Sequence, residues 1–342
     1  MSNEQLPATL LEAVRYFSDP DTCLNFMASF RWPDGVRCPR CGSDQVTFLE
    51  KARVWKCRGK HAAQKFSIKT GTIMEDSPIG LEQWLPAIWL ITNAKNGISS
   101  YEIHRSLGVT QKTAWFLLHR IRLAMQNGSF EKMSGTVEAD ETLIGGKARF
   151  MHADRKARTL KKGRGSAGKA IVMGLLERHG IDKSQKVIDT LDYDPKKDKK
   201  ASRVKTTVIP HTKRKIVQGE IRAHVEPGSE IFTDALASYQ GLDPDYMHQF
   251  VDHAETYVSG RVHTNGMENF WSLLKRSIKG TYVSVEPFHL FRYLDEQSFR
   301  FNERKHTDSE RFMDVVSSIV DKRLTYKELT GEHLPASDPS HN

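Results

Sequence analysis

The sequence predicts a multi-domain α/β protein, with a small cysteine-bearing β module and a helical region ahead of a larger domain of strands and helices. Three observations carry this. Residues 36–70 hold short β-like runs and two cysteine knuckles, residues 79–127 repeat apolar side chains at helical spacing, and from about Gly135 short β-like runs alternate with long polar connections. A chain of 342 residues corresponds to about two to three domains. The expected divisions are 1–75, 76–130 and 131–310, followed by an uncapped polar tail over 311–342.

Residues 1–32 open the chain as a helical lead-in, with Leu10, Leu11, Val14 and Phe17 spaced among acidic residues, and Arg31-Trp32-Pro33-Asp34-Gly35 ends it with turn chemistry. The β module follows. Cys38 and Cys41 form one knuckle, and after fifteen intervening residues Cys57 and His61 form a second, which is spacing for a tetrahedral structural Zn²⁺. Gly42 supplies the turn after the first knuckle, and Val54-Trp55-Lys56 leads into the second as a strand. Four protein ligands leave no open coordination position, so the expected zinc is structural, and its binding would supply the folding energy of so small a module. Cys23 stands apart and reads as an ordinary buried thiol.

In the helical region, Leu81, Trp84, Leu85, Ile88, Trp89 and Ile91 mark a first apolar face. Ser99 to Ile103 then read as an N-capped helix, Leu107-Gly108-Val109 as its turn, and Thr110 to Trp115 as the cap and first turns of a second helix. In this helix-turn-helix, Thr110, Gln111 and Lys112 would face a DNA major groove, while His119, Arg120 and Arg122 would lie near phosphates.

Basic residues exceed acidic ones, 51 Lys and Arg against 42 Asp and Glu, for a net charge of +9. With a pI of about 9.2 and a mean hydropathy of −0.53, the chain is attractive to polyanions and is neither fibrous nor wholly disordered. Nine of the basic residues, Lys161 and Lys162 among them, fall between Lys147 and Lys169 against the single acid Asp154, a pattern expected of a DNA-binding loop. The longest apolar runs, 84–92 and 171–176, fall far short of the ~18 residues a membrane span needs. The N-terminus lacks a basic segment followed by an apolar one, so the expected location is cytoplasmic and nucleoid-associated, without a membrane partner.

In the third region, β-like runs are expected at 135–140, 169–177, 184–191, 229–233 and 249–252, with helices at about 265–277 and 287–302. Two of the runs end in acids, Asp140 and Asp234, and Glu268 on the first helix can join them. Three carboxylates offer the hard oxygen ligands that two divalent cations need while leaving positions for phosphate oxygens and a nucleophile. Lys275, two helical turns beyond Glu268, would contact phosphate together with Arg276.

These residues stand in a wider set of signatures. They include Arg31 to Gly35 before the first knuckle, Phe66-Ser67 with Gly71-Thr72, and Val137-Glu138-Ala139-Asp140-Glu141-Thr142 with Gly145-Gly146-Lys147. Further along come Thr233-Asp234, His263 to Trp271 running into Leu274-Lys275-Arg276, Gly280-Thr281-Tyr282, and Phe299 to Arg304. Over roughly residues 20–305 the chain resembles the bacterial insertion-sequence transposases of the ISXO type, family fifteen ninety-five, in which a zinc ribbon precedes a DDE-type catalytic domain. The resemblance implies a ribonuclease-H-like fold with a mixed five-stranded sheet flanked by helices, and dependence on two Mg²⁺ or Mn²⁺ per site. Asp140, Asp234 and Glu268 would be the triad, with Asn265 as alternate third residue because some members use asparagine. His61 stands where many members carry cysteine. The implied partners are double-stranded DNA, at the element's ends and at the target, and further copies of the chain in a homodimer or higher oligomer on DNA. The implied activity is metal-dependent cleavage at the terminal inverted repeats, followed by transfer of the 3′-OH into target DNA. The alternatives are a catalytically silent DNA-binding regulator, against which the three intact acids argue, and a metal-dependent nuclease without strand transfer.

Overall fold

A computed structural model of the chain describes residues 6–126, 131–146, 168–178, 201–234, 237–242, 245–251 and 262–331. The expected strand at 184–191 and the basic loop with Lys161 and Lys162 lie outside them. The chain divides into two compact units, one of residues 1–126 with 306–342 and one of residues 127–305. No helix among the described residues is long and apolar enough to cross a membrane.

The first unit opens with α1 (Leu10–Tyr16) and α2 (Pro20–Arg31). Asp19 caps α2 by accepting from the Thr22 N–H at 2.7 Å, Pro20 sets its first turn, and Cys23, Leu24, Phe26 and Met27 form its buried face. Burial pushes the Cys23 thiol up to about 12, in keeping with an inert core cysteine.

An antiparallel ribbon follows, β1 (Val46–Leu49), β2 (Val54–Cys57) and β3 (Lys65–Phe66) in that spatial order. Its apolar content is small: Trp55 stacks on Phe66 at 5.9 Å and meets Trp32 edge-on at 5.3 Å. At its knuckle end, donor atoms of Cys38, Cys41, Cys57 and His61 all lie within 4.8 Å of one another. Bonds of about 2.3 Å to zinc put tetrahedral sulfur corners about 3.7 Å apart. The Cys41–Cys57 sulfur separation of 3.6 Å and the 3.5 Å from Cys38 Sγ to His61 Nε2 fit that figure. Gly59 closes the knuckle because a Cβ there would lie 3.2 Å from both the Cys41 and Cys57 sulfurs.

Next come α3 (Leu81–Asn93), α4 (Ser100–Leu107) and α5 (Gln111–Met125). Ser99 and Glu102 form a reciprocal capping box on α4, and Gly108 ends it at a φ of 67°. Val109 is buried and Thr110 caps α5, so the helix-turn-helix is present as expected.

The second unit is built on a five-stranded mixed sheet of β4 (Thr136–Ile144), β5 (Ala170–Glu177), β6 (Arg203–Ile209), β7 (Glu230–Asp234) and β8 (Met247–Val251), in the order β6-β5-β4-β7-β8. The β4, β5 and β6 pairings are antiparallel, whereas β7 runs parallel to both β4 and β8. Side chains alternate across the sheet. Val137, Ala139, Met173, Leu175 and Ile231 pack with Val217 and Ile221 of α6 (Arg214–His224). On the other face Val172, Leu176 and Val204 pack with Met267, Phe270, Trp271 and Leu274 of α7 (Asn265–Arg276) and with Leu290 and Leu294 of α8 (Leu290–Asn302). Strand β6 and helix α6 fall in what the sequence reading treats as polar connection. β6 is an edge strand with two basic residues, and Asn302 of α8 covers part of its backbone, with its side chain accepting from the Val204 N–H at 2.7 Å and donating to the Val204 carbonyl at 3.0 Å.

The polar tail expected over 311–342 is corrected over 311–331, while 332–342 lie outside the described residues. The chain returns to the first unit as α9 (Asp308–Ser317) and α10 (Tyr326–Thr330), each begun by a capping box, Thr307 with Glu310 and Thr325 with Glu328. Phe312 packs between Phe17 at 5.5 Å and Trp89 at 5.3 Å, and Ile319 and Asp321 exchange backbone hydrogen bonds with residues 71 and 73. Residues 1–75, 76–126 and this return share one compact unit rather than forming separate domains.

Metal analysis of the purified protein should find about one zinc per chain. Cys38→Ser and His61→Ala should both lower it and unfold the ribbon first. Full zinc in both variants would remove the site, and full zinc in His61→Ala alone would give the fourth position to another residue.

Candidate functional site

Two strands and one helix carry the acids of the second unit. The run expected to close at Asp140 is corrected, because β4 continues to Ile144 and places Asp140 at its middle, whereas Asp234 is the last residue of β7. β4 and β7 are in parallel register as far as Glu138 beside Phe232, and Asp140 and Asp234 each lie two residues beyond that last pair. Both side chains point to the α7 face, since Glu138, Asp140 and Gly174 alternate with the residues facing α6.

Helix α7 is fixed to β4 at two points. The buried Glu138 carboxylate accepts the Met267 N–H at 2.9 Å, satisfying one of the open donors in the helix's first turn, and accepts from Arg178 Nε at 2.7 Å. Arg178 also donates to the His263 carbonyl at 2.6 Å, and its guanidinium lies 4.6 Å over the Phe232 ring. One helical turn on, the Trp271 indole N–H donates to Asp140 Oδ2 at 2.9 Å. The match is geometric, because four residues of helix rise about 6 Å and two residues of strand advance about 6.7 Å. Gly174, the cross-strand neighbour of Asp140, makes room: a Cβ there would lie 2.2 Å from Met267 and 2.8 Å from Trp271.

This arrangement holds Asp140 in place, with its Oδ1 accepting the Glu141 N–H at 2.8 Å. Burial pushes its carboxyl up to about 6; the charges of Asp234 and Glu268 push the same way, against the two hydrogen bonds. Glu268 is exposed on α7 next to the clamped Met267, Asn265 is exposed at the helix start, Lys275 is half-buried two turns on and Arg276 is exposed.

A fourth acid was not singled out from sequence. Glu141 turns to the opposite face of the sheet, where it accepts from the hydroxyl of the fully buried Tyr239 at 2.7 Å. Burial pushes it up to about 7, reinforced by Asp234 and Asp140. Its signal is its place next to Asp140, but nothing local marks Tyr239 as its partner.

The helix-turn-helix gives a mixed result. Thr110 and Lys112 are exposed at the start of α5, while Gln111 is half-buried and donates to Ser100 Oγ at 2.9 Å. The Lys112 ammonium sits 4.4 Å over the Tyr326 ring. The expected phosphate contacts of His119, Arg120 and Arg122 are corrected, since all three are buried. Arg120 donates to the carbonyls of Leu324 at 3.0 Å and Glu75 at 2.8 Å, so the returning chain covers the side of α5 that the sequence reading left to solvent.

Comparison with known proteins agrees with this architecture. Residues 132–302, half of the chain, match the model of the ISXO2-like transposase domain. Residues 18–59, which hold Cys38, Cys41 and Cys57, match the transposase zinc-ribbon domain and, with the Cys3His cluster, support a structural zinc. The chain is 25% identical over 273 residues to an uncharacterized protein in transposable element ISH50 of Halobacterium salinarum, covering 77% of this chain and 84% of that protein. It is also 31% identical over 101 residues to an uncharacterized transposase-like protein of Haemophilus influenzae, covering 29% of this chain and 81% of the relative. With a mixed sheet and an acid-bearing helix across the matched domain and a four-donor ribbon ahead of it, the chain belongs to the family of ISXO2-like transposases.

Proposed function

We propose that this transposase binds the terminal inverted repeats of its element and uses Asp140, Asp234 and Glu268 to cleave and transfer DNA strands. The observation that carries this reading is the placement of Asp140 at the middle of β4, Asp234 at the end of β7 and Glu268 on α7, near enough for Asp140 to feel the charges of the other two. Hard oxygen donors on two strands and a helix, with Asp140 and Asp234 half-buried and Glu268 exposed, suit divalent cations. Bound there, Mg²⁺ or Mn²⁺ would supply Lewis-acid stabilisation of the phosphoryl oxygens and a more acidic water.

The chain's own residues do the rest. Trp271 and the Glu141 N–H hold Asp140 in one rotamer, and the Glu138 clamp presents Glu268 beside it. Lys275 and Arg276 extend the same helix toward the DNA backbone. Water attacks the phosphorus at the element's end and the 3′-oxygen leaves with a proton. That 3′-OH then attacks a target phosphodiester in line, giving up its proton as the bond from that phosphorus to the target strand's own 3′-oxygen breaks and this oxygen leaves with a proton, so one site serves two displacements of the same kind. Thr110, Gln111 and Lys112 read the end, and Lys161 and Lys162 add contacts to phosphates.

Asp140→Ala, Asp234→Ala and Glu268→Ala should each lower Mg²⁺-dependent cleavage and strand transfer by on the order of a thousandfold, with double variants little worse, because the acids act as a unit. Gel-shift binding to a terminal-repeat duplex should survive. Wild-type cleavage by Glu268→Ala together with loss in Asn265→Ala would move the third position to Asn265. Specific binding without cutting in either metal would favour the regulator.

Lys112→Ala should lose discrimination between terminal-repeat and random duplexes, whereas Lys161→Ala with Lys162→Ala should weaken both alike and flatten the salt dependence. Equal discrimination by Lys112→Ala and wild type would sink the assignment of α5.

Asp140 and Glu141 are raised on folding, to about 6 and about 7, so the folded chain retains protons that the unfolded chain releases. The resulting stability is complete below about pH 4 and is lost as pH climbs through 6 and 7. Without metal, the melting temperature of wild type should therefore fall more between pH 5 and 8 than that of Asp140→Asn, and Mg²⁺ at pH 8 should raise it only in wild type. Parallel curves by scanning calorimetry would refute both the burial effect and the metal site.

A further inference from the structure

We infer that the turn after α7 is an apolar wedge that enters the base stack of duplex DNA near the element's end; this rests on the reading of the carboxylates as the reaction centre. Helix α7 does not simply stop. It runs into a π-helical turn, Ser277–Tyr282, and then Val283 takes a φ of 62° and ψ of −55° while the Ser284 N–H donates to the Tyr282 carbonyl at 2.6 Å. That is the strained form of the γ-turn, and a β-branched residue is poorly suited to it.

Such a conformation persists only where its surroundings over-determine it. Here α8 holds both ends of the π-helical turn. Ser277 Oγ donates to Gln297 at 3.2 Å, and the Tyr282 ring meets Tyr293 edge-on at 4.7 Å. The Tyr282 hydroxyl donates to Glu296, which is wholly buried and also paired with Arg300. This buried anchorage holds Val283 out into solvent at 76% exposure, the highest of any large hydrophobic residue described. Phe288 at 49% follows in the same connection and Phe291 at 38% in the first turn of α8.

The charges select the partner. From 275 to 292 the chain carries Lys275, Arg276, Lys279 and Arg292 against the single acid Glu286. Exposed apolar side chains among cations match duplex DNA, whose phosphates take the cations while an apolar tip unstacks a base step. Val283 lies fifteen residues beyond Glu268, at most about 22 Å along a helical axis, which is about six base pairs of duplex. The step opened should therefore lie within about six base pairs of the reacting phosphate.

The test places 2-aminopurine at successive positions of a duplex bearing the inverted repeat that borders the gene, and reads its fluorescence on adding the Asp140→Ala protein, which leaves the DNA uncut. One step about six base pairs or less from the end should brighten. Adding Val283→Gly, which suits the turn and removes the tip, should keep or raise the melting temperature, abolish that signal and weaken binding about tenfold. A mismatch built into the same step should restore the binding. No responsive position, or an unchanged signal with Val283→Gly, would overturn the wedge. So would an unchanged signal accompanied by conversion of a free dimer to monomer, which would make the patch an interface between copies. Continued cutting by Asp140→Ala would overturn the catalytic reading instead.

Discussion

Two hydrogen bonds between β4 and α7 set the geometry on which the second unit depends. Glu138 takes the Met267 N–H and Asp140 takes the Trp271 indole, so a strand advancing two residues is locked to a helix advancing one turn. Each bond needs a concession elsewhere. Gly174 must lack a side chain for Met267 and Trp271 to approach, and Gly266 must lack one because a Cβ would lie 2.9 Å from the Glu138 carboxylate. The carboxylate buried in this clamp is matched by Arg178, which keeps it from being an uncompensated charge in the core. A rotation of α7 by one residue would break both bonds at once and carry Glu268 away from Asp140. The acids are therefore held by packing and register rather than by loops.

The first unit shows how the same residue types take opposite roles according to what covers them. Arg120 and Arg122 have the composition of a DNA-facing helix, yet they are buried, and Arg120 spends its donors on the carbonyls of Glu75 and Leu324. Lys112, the second residue of the same helix, remains exposed against Tyr326. The zinc cluster plays the part that a hydrophobic core cannot in a ribbon whose interior is little more than Trp32, Trp55 and Phe66.

What could be read from sequence was local. The zinc donors are legible because metal spacing is a property of a few consecutive residues, and α4 and α5 because their caps are written in Ser99, Glu102, Gly108 and Thr110. Asp140 and Asp234 stand out as acids after apolar runs, although β4 continues past Asp140 to Ile144, and Glu268 stands out as an acid in the first turn of a helix. Burial is not local, so the sequence around Arg120, Arg122 and Tyr239 carries no sign of what covers them, and Glu141 has no mark of its own beside Asp140. β6 and α6 were lost because an edge strand and a one-sided helix carry many charges. The returning helices were legible in principle, since Thr307 with Glu310 and Thr325 with Glu328 spell capping boxes, but their sparse apolar residues resemble a solvated tail until Phe312 is seen between Phe17 and Trp89.

That return makes the first unit discontinuous in the chain, and this bears on the order in which the protein matures. Residues 306–331 complete the back of α5 and the seat of residues 71–73, yet they leave the ribosome only after the whole second unit has been made. At about 5–20 residues per second that interval is roughly ten to forty seconds. During it the N-terminal segment has its zinc knuckles and helix-turn-helix but not its closing helices, while the sheet bearing the acids can fold without interruption. The unit built on the sheet is thus complete before the unit that carries the helix-turn-helix, and a nascent or prematurely terminated chain would lack the segment that closes over α5.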